Sequence, residues 1–151
     1  MTGLRAQSAP LPPGARVVDA VVFHTLLEME IAKAQRLRYC LAVLCLAGQF
    51  PPDADDPVDS LAGLAARRIR STDVVLDRGP AGVVLLLIDA DVGALPAILH
   101  RVIADFRAAS WSAGASAYPK NASNSDELLA QAASKLSEAE RDGGQQLFLQ
   151  R

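Results

Sequence analysis

The sequence predicts an α+β domain, with a central, mostly antiparallel five-stranded sheet flanked by helices. Three observations carry this. At the middle of the chain, Val74–Asp77 and Val83–Ile88 are short aliphatic runs joined by Arg78-Gly79-Pro80-Ala81-Gly82, and such runs around a Gly-Pro turn read as a β-hairpin, with Val83–Ile88 an interior strand buried on both faces. On both sides of the hairpin, segments with helical spacing alternate with segments of strand length. The 151 residues are 50% hydrophobic but only 5% aromatic, which suits one core made by packing aliphatic helices on a sheet.

Residues 1–15 hold three of the nine prolines and show no hydrophobic period. They are expected to form a flexible tail or linker, with the domain spanning 16–151. From Asp19 to about Leu37, Val22, Phe23, Leu26, Leu27, Met29 and Ile31 recur at mostly helical spacing, predicting a long amphipathic helix. Cys40–Ala47 is apolar on both faces and of strand length, and Gly48 and a loop over Pro51–Pro57 follow it; a buried strand fits. Val58–Ile69 returns to helical spacing through Leu61, Leu64, Ala65 and Ile69, and leads into the hairpin. Beyond the hairpin, Asp91–Ala108 sets Val92, Leu95, Leu99, Val102 and Phe106 on one stripe, with Pro96 near the start, where a helix tolerates it. Trp111–Tyr118 alternates small residues in a strand-like way, and its Gly114 marks the close approach of another backbone. Ser125-Asp126-Glu127 opens a last helix that runs to about Arg141 and stops at Gly143-Gly144, before Leu147–Leu149 as a short edge strand.

Composition narrows the function. Fifteen basic against 17 acidic residues leave a net charge of −2, so no general basic field attracts a nucleic acid polymer or an acidic membrane. No basic-then-apolar leader opens the chain, and the aliphatic run Val83–Ile88 is far below the roughly 20 residues that cross a bilayer. A cytoplasmic protein without membrane insertion is expected. Cys40 and Cys45, at a spacing of five in or beside one strand, point to opposite faces and read as free thiols in a reducing compartment. His24 and His100 lack metal-ligand spacing, Ser110 and Ser112 lack a His/Asp constellation, and Asp53, Asp55, Asp56 and Asp59 lack the Gly and Glu spacing of a calcium loop. No metal and no cofactor is expected.

With these elements in order, the segment from about Arg16 to Leu149 resembles the GGDEF domain of diguanylate cyclases, which make cyclic di-GMP from two GTP. The family's hairpin run lies without a gap on Thr72 to Ile88, and its later strand and helix resemble Ser112-Ala113-Gly114-Ala115-Ser116 and Asp126 to Gly144. The resemblance implies a nucleotide-cyclase-like fold and, equally, the loss of catalysis. The signature itself falls on Gly79-Pro80-Ala81-Gly82-Val83, so Ala81 and Gly82 replace the metal-binding acidic pair, and the family's other metal-binding aspartate falls on Ala47. Gln49–Asp59 is shorter than the family's guanine-binding segment and shares none of its polar pattern, and Glu140 stands where the family has a phosphate-binding lysine. A Mg²⁺ site for a triphosphate needs hard oxygen ligands. The expectation is a chain that is not an enzyme, with no catalytic and no metal-binding residues.

Many cyclases of this family also bind their product at an inhibitory site whose RxxD motif stands five residues before the signature turn; Arg70-Ser71-Thr72-Asp73 stands five residues before Gly79. A second RxxD, Arg16-Val17-Val18-Asp19, shows that placement, not the motif alone, carries the weight. The family's third ligand, an arginine on the helix after the hairpin, falls on Arg101, which the helical period sets off the apolar stripe, with its guanidinium free to reach outward. The resemblance thus implies cyclic di-GMP binding at Arg70, Asp73 and Arg101. Arginine forks onto phosphate or a guanine O6/N7 edge, and a carboxylate accepts from guanine N1–H and N2–H, with no metal needed. The expected role is a cyclic di-GMP receptor that signals through altered binding to a protein partner or a second copy of itself. The alternative is a nucleotide-independent interaction or scaffold module, in which Arg70 and Asp73 form an ordinary surface ion pair and Arg101 is solvated. GTP binding without turnover is weaker than either, because both guanine and triphosphate contacts are lost.

Overall fold

A computed structural model describes residues 14–49, 61–104 and 110–151. The elements are β1 (Arg16–Val18), α1 (Ala20–Leu37), β2 (Leu41–Gln49), α2 (Leu61–Ala66), β3 (Val74–Asp77), β4 (Gly82–Ile88), α3 (Leu95–Ile103), β5 (Ser110–Tyr118), α4 (Ser125–Arg141) and β6 (Leu147–Leu149). They form an α+β fold whose sheet runs β1-β3-β4-β2-β5-β6. The β3–β4, β4–β2 and β2–β5 pairs are antiparallel, while β1–β3 and β5–β6 are parallel. The sheet is therefore six-stranded and mixed, which corrects the expected five mostly antiparallel strands. The added strand, β1, has three residues, too few to show a period; its pairing of Arg16, Val17 and Val18 with Val74, Val75 and Leu76 defines it.

Two helices cover each face. Val83, Leu85 and Leu87 of β4 join α2 and α3 in one core, and Val84 and Leu86 join α1 and α4 in the other. The run read as a two-faced strand is thus interior and buried on both sides, each fully buried aliphatic side chain contributing about 1.5–3 kcal/mol. Local chemistry sets the helix ends. Asp19 Oδ1 accepts from Val22 N at 2.9 Å, so the second RxxD is half strand and half N-cap. Arg38, left-handed at φ 59°, closes α1 with its N–H on Ala34 O. Asn124 caps α4 through Glu127 N at 2.9 Å, and Glu127 Oε1 accepts in return from Ser123 N at 3.2 Å.

Helix α2 ends at Ala66, short of the expected Ile69, and α3 starts at Leu95 because Asp91–Ala94 is a turn in which Asp91 Oδ1 accepts from Ala94 N at 3.1 Å. Ala15, counted with the tail by composition, donates its N–H to Ala66 O at 2.8 Å. Residues 1–13, the loop over 51–57 with its three aspartates, Asp59 and the first turn expected from Val58, and the stretch to Ala108 after α3 lie outside the described residues. Among the described residues, no helix is long and apolar enough to cross a membrane.

Candidate functional site

The RxxD segment is a turn between α2 and β3, closed by the N–H of Asp73 on Arg70 O at 2.9 Å. It folds the Asp73 carboxylate back onto main chain: Oδ2 accepts from Arg70 N at 2.9 Å and Oδ1 from Ile88 N at 2.8 Å. The Arg70 side chain follows the same path, donating Nη2–H to Ile88 O, with Nε 3.9 Å from Asp73 Oδ2. Both main-chain groups of Ile88, the last residue of β4, are thus held by the motif. Arg101, exposed on α3, donates Nε–H to Arg68 O at 2.9 Å, so its guanidinium is tethered rather than free.

Arg70 and Asp73 meet directly, and Arg101 reaches the same segment through Arg68 O. Asp73 is 3% exposed and the Arg70 side chain 58%. Burial raises the Asp73 carboxyl above its ordinary value, opposed first by the N–H groups of Ile88 and Arg70 and then by the positive charges of Arg70 and Arg101. A guanidinium has five N–H donors, so each arginine keeps donors beyond the one set on a carbonyl. Each Asp73 oxygen holds one amide and keeps further acceptor capacity. Sequence reasoning missed Ile88 and Arg68, which act through main-chain atoms; no side-chain signal marks such a role.

The positions matched to the family's metal ligands meet at the opposite end of β2 and β4. Ala47 lies across from Gly82, and Gly48 donates its N–H to Ala81 O at 2.9 Å. At Ala47, Ala81 and Gly82 stand two methyl groups and a hydrogen, and a Cβ on Gly82 would stand 3.1 Å from Leu46 O. Glu140 is exposed on α4, and residues 50–59 of the segment matched to guanine binding lie outside the described residues. Among the described residues, no group of three or more His, Cys, Asp or Glu is placed to hold a metal ion. His24 bridges α1 and α4, 3.3 Å from Glu28 and 3.5 Å from Asp126, while His100 is exposed. Cys45 is buried, its thiol pushed up to about 11 by desolvation; half-buried Cys40 is raised by burial and then by the carboxylates of Asp89 and Asp91.

The sequence matches no protein-family model and no curated protein. Solved structures do match. The GGDEF domain of YfiN (TpbB) from Pseudomonas aeruginosa is 21% identical, with 89% of this chain and 96% of that chain covered and a TM-score of 0.74. The GGDEF domain of DgcB from Caulobacter crescentus, solved in complex with cyclic di-GMP, is 11% identical over 88% of both chains, with a TM-score of 0.65. The diguanylate cyclase SiaD from Pseudomonas aeruginosa, solved with its activator SiaC, is 18% identical over 87% of this chain and 58% of that chain, with a TM-score of 0.66. The chain has the fold of GGDEF domains.

Proposed function

We propose that this chain is a catalytically inactive GGDEF-type domain that acts as a receptor for cyclic di-GMP, bound at Arg70, Asp73 and Arg101, and that it signals by altered binding to another protein or a second copy. The observation that carries the reading is the convergence of one buried carboxylate and two guanidiniums from separate elements, in the order and spacing of the family's inhibitory site. A dianion with two guanine edges suits two arginine forks. Ala47, Ala81 and Gly82 support inactivity, since their side chains carry none of the oxygen ligands that the family places there for metal-assisted phosphoryl transfer. DgcB with its bound cyclic di-GMP and SiaD with its activator are examples of ligand and partner among proteins of this fold.

One observation favours the nucleotide-independent interaction module instead. The RxxD pair secures the end of β4 through Ile88, a structural duty that would retain the motif without any ligand. Titration calorimetry separates the two. Cyclic di-GMP is expected to bind with micromolar or tighter affinity, about −8 kcal/mol or better, with no heat from GTP or cyclic di-AMP. Arg101→Ala is expected to weaken binding by about 1.5–3 kcal/mol, the range for hydrogen bonds to charged groups, with the melting temperature of the ligand-free protein nearly unchanged. With Mg²⁺ or Mn²⁺ and GTP, no cyclic di-GMP should form. No heat and no thermal shift with cyclic di-GMP at hundreds of micromolar would leave only the interaction module.

A further inference from the structure

We propose that Arg70 is a latch coupling occupancy of the candidate ligand site to the surface around Cys40, an inference that rests on the cyclic di-GMP reading above. In the ligand-free chain, Arg70 Nη2 donates to Ile88 O and Asp73 Oδ1 accepts from Ile88 N at 2.8 Å, so one motif fixes both main-chain groups of a single residue. That residue is where β4 ends. The next, Asp89, is left-handed at φ 57°, a region aspartate tolerates better than most residues but at some cost relative to ordinary backbone, and its N–H donates to Cys40 O at 2.8 Å. Ile88 pairs with Leu41, and Leu41 with Tyr118. Beyond that row, Arg38, Tyr39, Cys40, Asp89, Tyr118 and Pro119 line an open depression of about 500 Å³.

A phosphodiester or a guanine edge at Arg70 competes with the Ile88 carbonyl for the same guanidinium. The Ile88 carbonyl is neutral and takes one N–H, whereas a phosphodiester adds the attraction of opposite charges and can accept two parallel N–H bonds from the fork, so the phosphate gains most when Arg70 turns fully to it. That is the differential affinity by which a ligand shifts a conformational equilibrium. With its side-chain donor withdrawn, Ile88 O holds the strand end less firmly, Asp89 relaxes, and its bond to Cys40 O opens more often. The site is read out at the Cys40 depression, on the far side of the β4 end from the ligand.

The chain carries its own reporters, for Cys40 is half-buried beside the depression and Cys45 is buried within the sheet. The rate at which a small maleimide labels each thiol at pH 8 is measured by mass spectrometry, with and without saturating cyclic di-GMP, alongside calorimetry on the same sample. Cyclic di-GMP is expected to speed Cys40 labelling by about threefold or more, through local opening, and Arg70→Ala without ligand is expected to show the fast rate already. Cys45 should stay unlabelled in both; Cys45 labelling in Arg70→Ala would signal global unfolding, and Arg70→Lys, which keeps the charge but loses the fork, then replaces it and is expected to be fast at Cys40 as well. Binding heat with a Cys40 rate that is unchanged or slower overturns the latch and leaves the receptor reading intact. Absence of binding heat overturns both.

Discussion

Replacing Gly114 by alanine should destabilise the protein by about 3 kcal/mol or more, the upper end of overpacking costs, and lower its melting temperature by about 6–12 °C. The physical cause is contact of β5 with the backbone of α4. A Cβ on Gly114 would stand 2.1 Å from Leu136 N and 2.5 Å from Ala132 O, main-chain atoms inside a helix that cannot rotate away as a side chain can. Relief requires lifting α4 off the sheet, which also disturbs the fully buried Leu128 and Ala132. Gly79 supplies the contrast, since nothing lies within 4 Å of a Cβ there and only its φ of 87° opposes substitution; alanine at Gly79 should cost about 1–2 kcal/mol. Chemical denaturation of both variants tests the ranking, and a Gly114→Ala protein as stable as wild type would mean that α4 does not sit where the structure has it.

Asp73→Ala should cost as much or more. It leaves the partly buried N–H groups of Arg70 and Ile88 without their acceptor, and each unsatisfied donor costs about 1–3 kcal/mol. Asp73→Asn keeps one oxygen and should recover roughly half of the loss. The pH dependence follows from burial. The folded carboxyl lies above its ordinary 3.8, so between the two values the folded state binds more protons than the unfolded one, and this group's contribution to stability falls as pH rises from 3.8 to the raised value. Asp73→Asn should flatten that part of the stability profile. Because Asp73 variants change the fold and the candidate site together, Arg101→Ala is the cleaner test of ligand binding. Asp73→Ala unfolding at the wild-type denaturant midpoint would show that the carboxylate does not secure the end of β4.

The sequence by itself determined the parts whose causes lie within a few residues. The Gly79–Gly82 turn, the two-faced burial of Val83–Leu87, the closeness of backbone at Gly114, and the bounds of α1 and α4 were legible because period, turn residues and caps are local. The placement of Arg70 and Asp73 before the turn was legible too, as was the lack of carboxylates at Ala47, Ala81 and Gly82. Only the tertiary structure decided the rest. Strand β1 exists because β3 offers it an edge, not because Arg-Val-Val prefers extension. Tertiary contacts also brought Arg101 within the field of Asp73, tethered it to Arg68 O, and set Ala47 opposite Gly82. Above all, they buried Asp73 and set both residues of the motif, read as a ligand site or alternatively a surface ion pair, on the main chain of Ile88. Main-chain N–H and C=O groups are the same in every residue type, apart from the missing N–H of proline, so no sequence pattern shows which of them a side chain will reach after long-range folding.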